Sequence, residues 1–160
     1  YNERALEKLL NKDYQGALEE LNKSIKLGVS SEEFHYKDSY GLRAQVHKNM
    51  GNYDLALKDI NVYIQYFPKQ EKAYGIRQSI KYSLKDFKGA IEDSNIMLIL
   101  NPNSGDAYAL RGLSRLELGQ KEQGCTDLKK AFGKLGGSDY GLLVWGVIRV
   151  KCEGKSLFGN

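Results

Sequence analysis

Apolar residues return along this chain with a helical period, in short stretches separated by polar or glycine-bearing breaks. Ala5, Leu6, Leu9 and Leu10 form the apolar face of a first helix over 1–10, which Asn11-Lys12-Asp13 ends. Ala17, Leu18, Leu21 and Ile25 predict a second, Tyr14 to Leu27, with Gly28 as its stop. Ser30-Ser31-Glu32-Glu33 has the form of a capping box and opens a third, running to Met50. After the Gly51-Asn52 turn, Tyr53 to Tyr66 is a fourth, closed at Phe67-Pro68 because a residue before proline is steered out of the helical region. Helices over 69–84 and 87–100 follow, then the Asn101-Pro102 break. Asn103 or Ser104 caps a helix reaching Leu118, and Lys121 to Lys134 returns. Gly136-Gly137-Ser138 introduces a ninth helix over 139–152, and 153–160 is a polar, flexible tail. No stretch alternates as a strand does.

The helices come in a unit of 34 residues, clearest over Glu71 to Ser104. Tyr74, Phe87, Ala90 and Pro102 fall one period earlier on Tyr40, Tyr53, Ala56 and Pro68, and one period later on the more worn set Tyr108, Lys121, Gly124 and Gly136. A fixed period of this length marks a stacked array, in which each unit packs only on its neighbours. Tyr14 to Tyr53 spans 39 residues, so about five extra ones sit in the Gly28 to Lys37 junction, as a longer loop or an added helical turn. The predicted organisation is a single array over 1–152. Its units lie at about 1–29, 37–70, 71–104 and 105–138, and 139–152 is the terminal cap.

These positions resemble the tetratricopeptide repeat (TPR) family. Early first-helix aromatics are Tyr1, Tyr40, Tyr74 and Tyr108, and small residues four later are Ala5, Ala44 and Gly112, with Gln78 departing. Turn aromatics are Tyr14, Tyr53 and Phe87, where Lys121 departs, and the alanines three on are Ala17, Ala56 and Ala90, with Gly124 in the last copy. The resemblance implies an all-α fold: a right-handed α-solenoid of antiparallel helix pairs, four repeats plus a C-terminal capping helix. Gly124 to Ala131, followed by Leu135-Gly136, is similar to the closing repeats of bacterial, envelope-associated members. A cytoplasmic location is the default expectation, with the envelope or periplasm as alternative.

Charge and candidate chemistry narrow the function classes. The 24 basic residues are interleaved with 20 acidic ones, so no basic stripe points to nucleic acid. The most apolar segment, Leu142 to Val150, is about half a membrane span. His35 and His47 stand without other ligands at metal spacing, and no cofactor is expected. Gly154-Lys155-Ser156 mimics the end of a phosphate loop, but Arg149 stands where the first glycine must be. Adjacent carboxylates such as Glu19-Glu20 and Glu92-Asp93 point apart on a helix and read as solvated charge. Cys125 and Cys152 lie in helical patterns and read as buried free thiols. Nothing forms a nucleophile–base set, so the chain reads as a non-enzyme. Arg4 and Glu20, Arg43 and Asp59, Arg77 and Asp93, and Arg111 and Asp127 are each 16 apart, which predicts a ladder of ion pairs within hairpins or between repeats.

The expected function is a protein-interaction module that binds a peptide or partner helix in a concave groove. The resemblance places that wall on the first helices: Leu42, Gln45 and Asn49, then Lys72, Ile76, Ser79 and Ser83, then Leu110 and Leu113. Gly41, Gly75 and Ala109 would leave it open to close backbone approach. The family's carboxylate clamp for chaperone tails matches only at Lys72, since Asn2, Leu6, Leu42 and Ile76 stand at the other positions. The alternative is a structural subunit of a stable complex or homodimer joined through the apolar C-terminal helix, whose Leu142, Leu143, Trp145, Val147, Ile148 and Val150 exceed what a cap needs.

Overall fold

The computed structural model describes residues 1–31 and 36–156. Among them are nine α-helices and no strand: α1 (Asn2–Leu10), α2 (Tyr14–Ser31), α3 (Tyr36–Asn49), α4 (Tyr53–Tyr66), α5 (Glu71–Ser83), α6 (Phe87–Leu100), α7 (Gly105–Glu117), α8 (Lys121–Leu135) and α9 (Asp139–Val147). A π-helical turn, Ile148–Cys152, continues α9, so the predicted ninth helix changes pitch part-way. Side-chain caps start several helices. Asp86 accepts from the Gly89 N–H at 3.0 Å, Ser104 from Ala107 at 3.3 Å, and Ser138 from Gly141 at 3.1 Å. The turns inside the four hairpins each need one left-handed residue. Gly51 and Gly119 take it freely, whereas Lys12 and Lys85 hold φ near 60° at the same register.

The helix pattern departs from expectation at one junction. Gly28 does not stop α2, which runs on to Ser31. Gly28 is buried, and a Cβ there would lie 2.1 Å from the Tyr36 Cβ, so the glycine makes room for a packed ring. α2 has 18 residues where α4 and α6 have 14, which puts an added helical turn in the junction. Ser30 and Ser31 of the expected capping box lie in the last turn of α2 and do not open the third helix, while Glu32, Glu33 and His35 lie outside the described residues.

Two compact units divide the chain, Tyr1–Ile80 and Lys81–Asn160. In the first, Ala5, Ala17, Leu21 and Val46 bind α1, α2 and α3 together, while Ala44, Ala56, Ile60, Ala73 and Ile80 join α3, α4 and α5. In the second, Leu128 and Ala131 of α8 are sandwiched between Ala109 of α7 and Val144 and Ile148 of α9 and its π-turn. Small residues set the helix spacing. A Cβ on Gly112 would come within 2.9 Å of the Gly124 carbonyl oxygen, so α7 and α8 touch backbone to backbone there.

The ion-pair ladder is present in an instructive form. Arg43 grips Asp59 with two bonds of 2.7 Å across its hairpin, and its remaining nitrogen donates to Asn22 of the preceding repeat at 2.7 Å. Arg111 repeats this with Asp127 (2.8 Å twice) and Asn95 (2.7 Å). Of the two arrangements that spacing left open, these ion pairs take the one within the hairpin, and the contact to the preceding repeat is made to a neutral amide. Arg4 reaches Glu20 at 2.8 Å and holds its carboxyl below the ordinary carboxylate range. Arg77 and Asp93 belong to different units: Arg77 donates to Asn61 at 2.8 Å, and Asp93 takes Lys81 at 3.0 Å. Every one of these arginines also lies over the tyrosine three residues before it, at 4.9 Å for Tyr1 and 5.5 Å for Tyr40, Tyr74 and Tyr108.

Cys125 and Cys152 are joined in a disulfide, not held as free thiols. The π-turn brings Cys152 back over α8, a return that helical periodicity does not encode.

His47 lies beside the ladder, its Nε2 4.0 Å from Asp59 and its Nδ1 buried without a hydrogen-bond partner. Burial pushes its imidazole below the ordinary 6.5, against the pull of Asp59, and Arg43 adds to the depression. With the folded value below the unfolded one, the stability that neutral His47 contributes is complete above about pH 6.5 and drains away as the pH falls. The urea midpoint should therefore decline on acidification from neutral to about pH 5, and His47→Gln should flatten that decline.

Candidate functional site

The first unit holds a groove of about 640 Å³ on its first-helix side. α3 contributes Leu42, Gln45 and Asn49 to it, and α5 contributes Lys72 and Ile76, so five of the nine predicted wall residues converge. Their convergence follows from the helical period. Positions 42, 45 and 49 share a face of α3, and 72 and 76 share one of α5. Leu42 packs on the Ala5–Val46 cluster and Ile76 on the Ala44–Ile80 cluster, yet both stay half-buried and keep apolar surface toward the groove.

The other four predicted residues lie elsewhere. Ser79 turns its hydroxyl to the Ile76 carbonyl at 2.8 Å, and does not line the groove. Ser83, Leu110 and Leu113 belong to the second unit. Leu110 is half-buried there, and Leu113 lines a separate apolar groove of about 850 Å³ beside α9.

Gly41 lines the groove and also lies under the Tyr63 ring, whose nearest carbon would be 3.1 Å from a Cβ, so its lack of a side chain seats an aromatic from α4. Ala109 is fully buried in the second unit's core. Tyr63 in turn lines the groove, with Leu9 and Asp38, none of which the sequence reading placed at a binding wall. Burial pushes the Tyr63 phenol up, and the Asp38 carboxylate pushes it further in the same direction. The tyrosine therefore stays a neutral donor at physiological pH. The only signal for it was its place opposite Gly41 on the paired helix, which needs a packing register to interpret.

Chemically the groove offers aliphatic walls, a phenol, four side-chain amides (Asn2, Gln45, Asn49 and Gln70), one cation at Lys72 and one anion at Asp38. Among the described residues no group of three histidines, cysteines or carboxylates could hold a metal ion. No described helix is long and apolar enough to cross a membrane.

No protein-family model matches the sequence, and no curated protein matches it. Solved structures do. MamA from Desulfovibrio magneticus is similar over 96% of this chain and 84% of that one, at 18% identity and a TM-score of 0.78. A tetratricopeptide repeat protein from Parabacteroides merdae covers 96% of this chain and 59% of its own, at 18% identity and 0.79. The first TPR domain of Spaghetti, bound to the HSP90 peptide SRMEEVD, covers 76% of this chain and 94% of that domain, at 20% identity and 0.68. At these identities the likeness is one of fold.

Proposed function

We propose that this chain, whose fold is that of the tetratricopeptide repeats, is a non-enzymatic interaction module that holds a peptide or partner helix in the groove of its first unit. The observation that carries this reading is the meeting of Leu42, Gln45, Asn49, Lys72 and Ile76 around one groove with half-buried aliphatic walls. Such a surface gains from burying apolar anchors, while its amides orient a backbone. A helical or extended ligand with two or three aliphatic side chains suits it. The Spaghetti domain takes an acidic peptide, and the corresponding clamp is matched here at Lys72 alone, so a tail with several carboxylates is a poor ligand for this wall.

Ile76→Glu tests the reading. The side chain sits at the groove surface, so the variant should keep its far-UV spectrum. Capture of the partner, or of aliphatic peptides selected from a library on the parent protein, should fall by about tenfold or more, because the carboxylate replaces an apolar wall and must be dehydrated under the ligand, a cost that Lys72 one turn earlier offsets only in part. Undiminished capture by a folded Ile76→Glu protein would refute the assignment.

A further inference from the structure

The 34-residue repeat carries past α8. Leu142, Leu143, Gly146 and Val150 stand one period after Tyr108, Ala109, Gly112 and Leu116. Those earlier four are how α7 meets its hairpin partner. Tyr108, Ala109 and Leu116 pack in the cluster with Leu128 and Ala131 of α8, and Gly112 lets the two backbones touch. Along α9 the same positions meet no second helix among the described residues. Leu142 is 55% exposed and Leu143 68%. With Gly146 and Val150 they form one wall of the 850 Å³ groove, and Leu113 and Leu116 of α7 form the other. α9 is nonetheless firmly seated, since Val144 and Ile148 are buried against α8. Over Leu142 to Gly146 the open face keeps the spacing of a repeat's hairpin face, it continues onto Val150 of the π-turn, and no second helix lies on it among the described residues.

Charge describes what would fill it. The ionic lining residues are Lys121, Lys151 and Glu117. Glu117 accepts from the Tyr82 hydroxyl at 3.2 Å, whereas neither lysine has an acidic partner among the described residues. We propose that this groove takes one α-helix from another protein, in the place of a tenth helix. That helix carries a leucine-type stripe flanked by carboxylates: the stripe meets Leu143 and Val150, a small residue on it lies against Gly146, and the carboxylates meet Lys121 and Lys151. This goes beyond the first-unit groove and does not depend on it.

The probe is a synthetic helix of about 15 residues, the length of α8, with leucines at i, i+4, i+7 and i+11 and glutamates beside them. Matched peptides replace the glutamates by lysine or scramble the leucine order. Trp145, the single tryptophan, is 39% exposed on α9 next to Gly146 of the groove wall, and its emission is the readout, with the anisotropy of a label on the helix as the second. The acidic helix should shift that emission saturably and bind about tenfold or more tighter than the lysine version. Leu143→Asp and Lys151→Glu, both at exposed positions, should keep the parent's helical spectrum and each weaken binding about tenfold or more. Ile76→Glu should leave it unchanged. No binding, or equal binding of the scrambled or lysine peptide, overturns the proposal. So does a dimer in sedimentation that Leu143→Asp dissociates, because a second copy would then own the face. A larger Trp145 shift with phosphatidylglycerol vesicles than with the acidic helix overturns it as well.

Discussion

Asp127→Ala should lower the free energy of unfolding by about 3–5 kcal/mol, read as a lower urea midpoint at unchanged m-value. Asp127 is 2% exposed and receives both Arg111 and Arg115, whose side chains are only 16% and 21% exposed. Removing the carboxylate leaves two partly dehydrated guanidinium groups without their counter-charge, and that uncompensated burial is the source of the loss. The wild-type pair need not be strongly stabilising for its rupture to be costly. Arg4→Ala is the comparison, because the Arg4–Glu20 bridge stands in water with Arg4 59% exposed. Its effect should be much smaller, as for other solvated pairs. An Asp127→Ala midpoint no lower than that of Arg4→Ala would show that the buried end of the ladder contributes nothing special.

Opening the Cys125–Cys152 bridge should cost about 3–4 kcal/mol in the chain-entropy treatment, given a sequence separation of 27 between the two cysteines. The bridge limits the unfolded ensemble by closing a loop that includes the end of α8, the Gly136-Gly137 turn and all of α9. Urea unfolding with and without dithiothreitol measures the difference, and Cys125→Ser/Cys152→Ser should match the reduced protein. Trp145 emission should move to the red at lower denaturant once the tether is gone. Identical curves for the oxidised and reduced forms would show that α9 is held by Val144 and Ile148 alone. The bond needs an oxidising environment to form, so the protein should be purified without reductant before the comparison.

Much of this architecture was legible because one physical requirement recurs every 34 residues. Away from the junction between α2 and α3, the period located the helix ends to within about two residues, because turn residues and apolar faces agreed there. Arg43–Asp59 and Arg111–Asp127 were readable because two registers kept a constant spacing. Asn22, Asn61 and Asn95 share a register too, but an asparagine on a helix looks like any solvated polar residue until an arginine is seen to need a third acceptor. Gly28 was misread because a glycine near a helix end satisfies two different needs, a left-handed stop and a close contact, and sequence cannot tell them apart. The wall positions on α3 and α5 came from the resemblance to the repeat family, and five of the nine named there meet around one groove. Tyr63 was not legible, since its part in the groove depends on how α4 lies over Gly41. The disulfide depended on a π-helical turn, a feature with no compositional mark.

The doubly engaged arginines bear on how the first unit comes apart. Arg43 on α3 is bonded at once to Asp59 on α4 and Asn22 on α2, and its guanidinium rests on Tyr40. Peeling the first hairpin away therefore strips one ligand from a charge that the second hairpin still needs, and fraying in one repeat is felt as lost solvation in the next. The shared arginine couples neighbouring hairpins, so amide exchange in α2, α3 and α4 should be more nearly concerted in the parent than in Asn22→Ala.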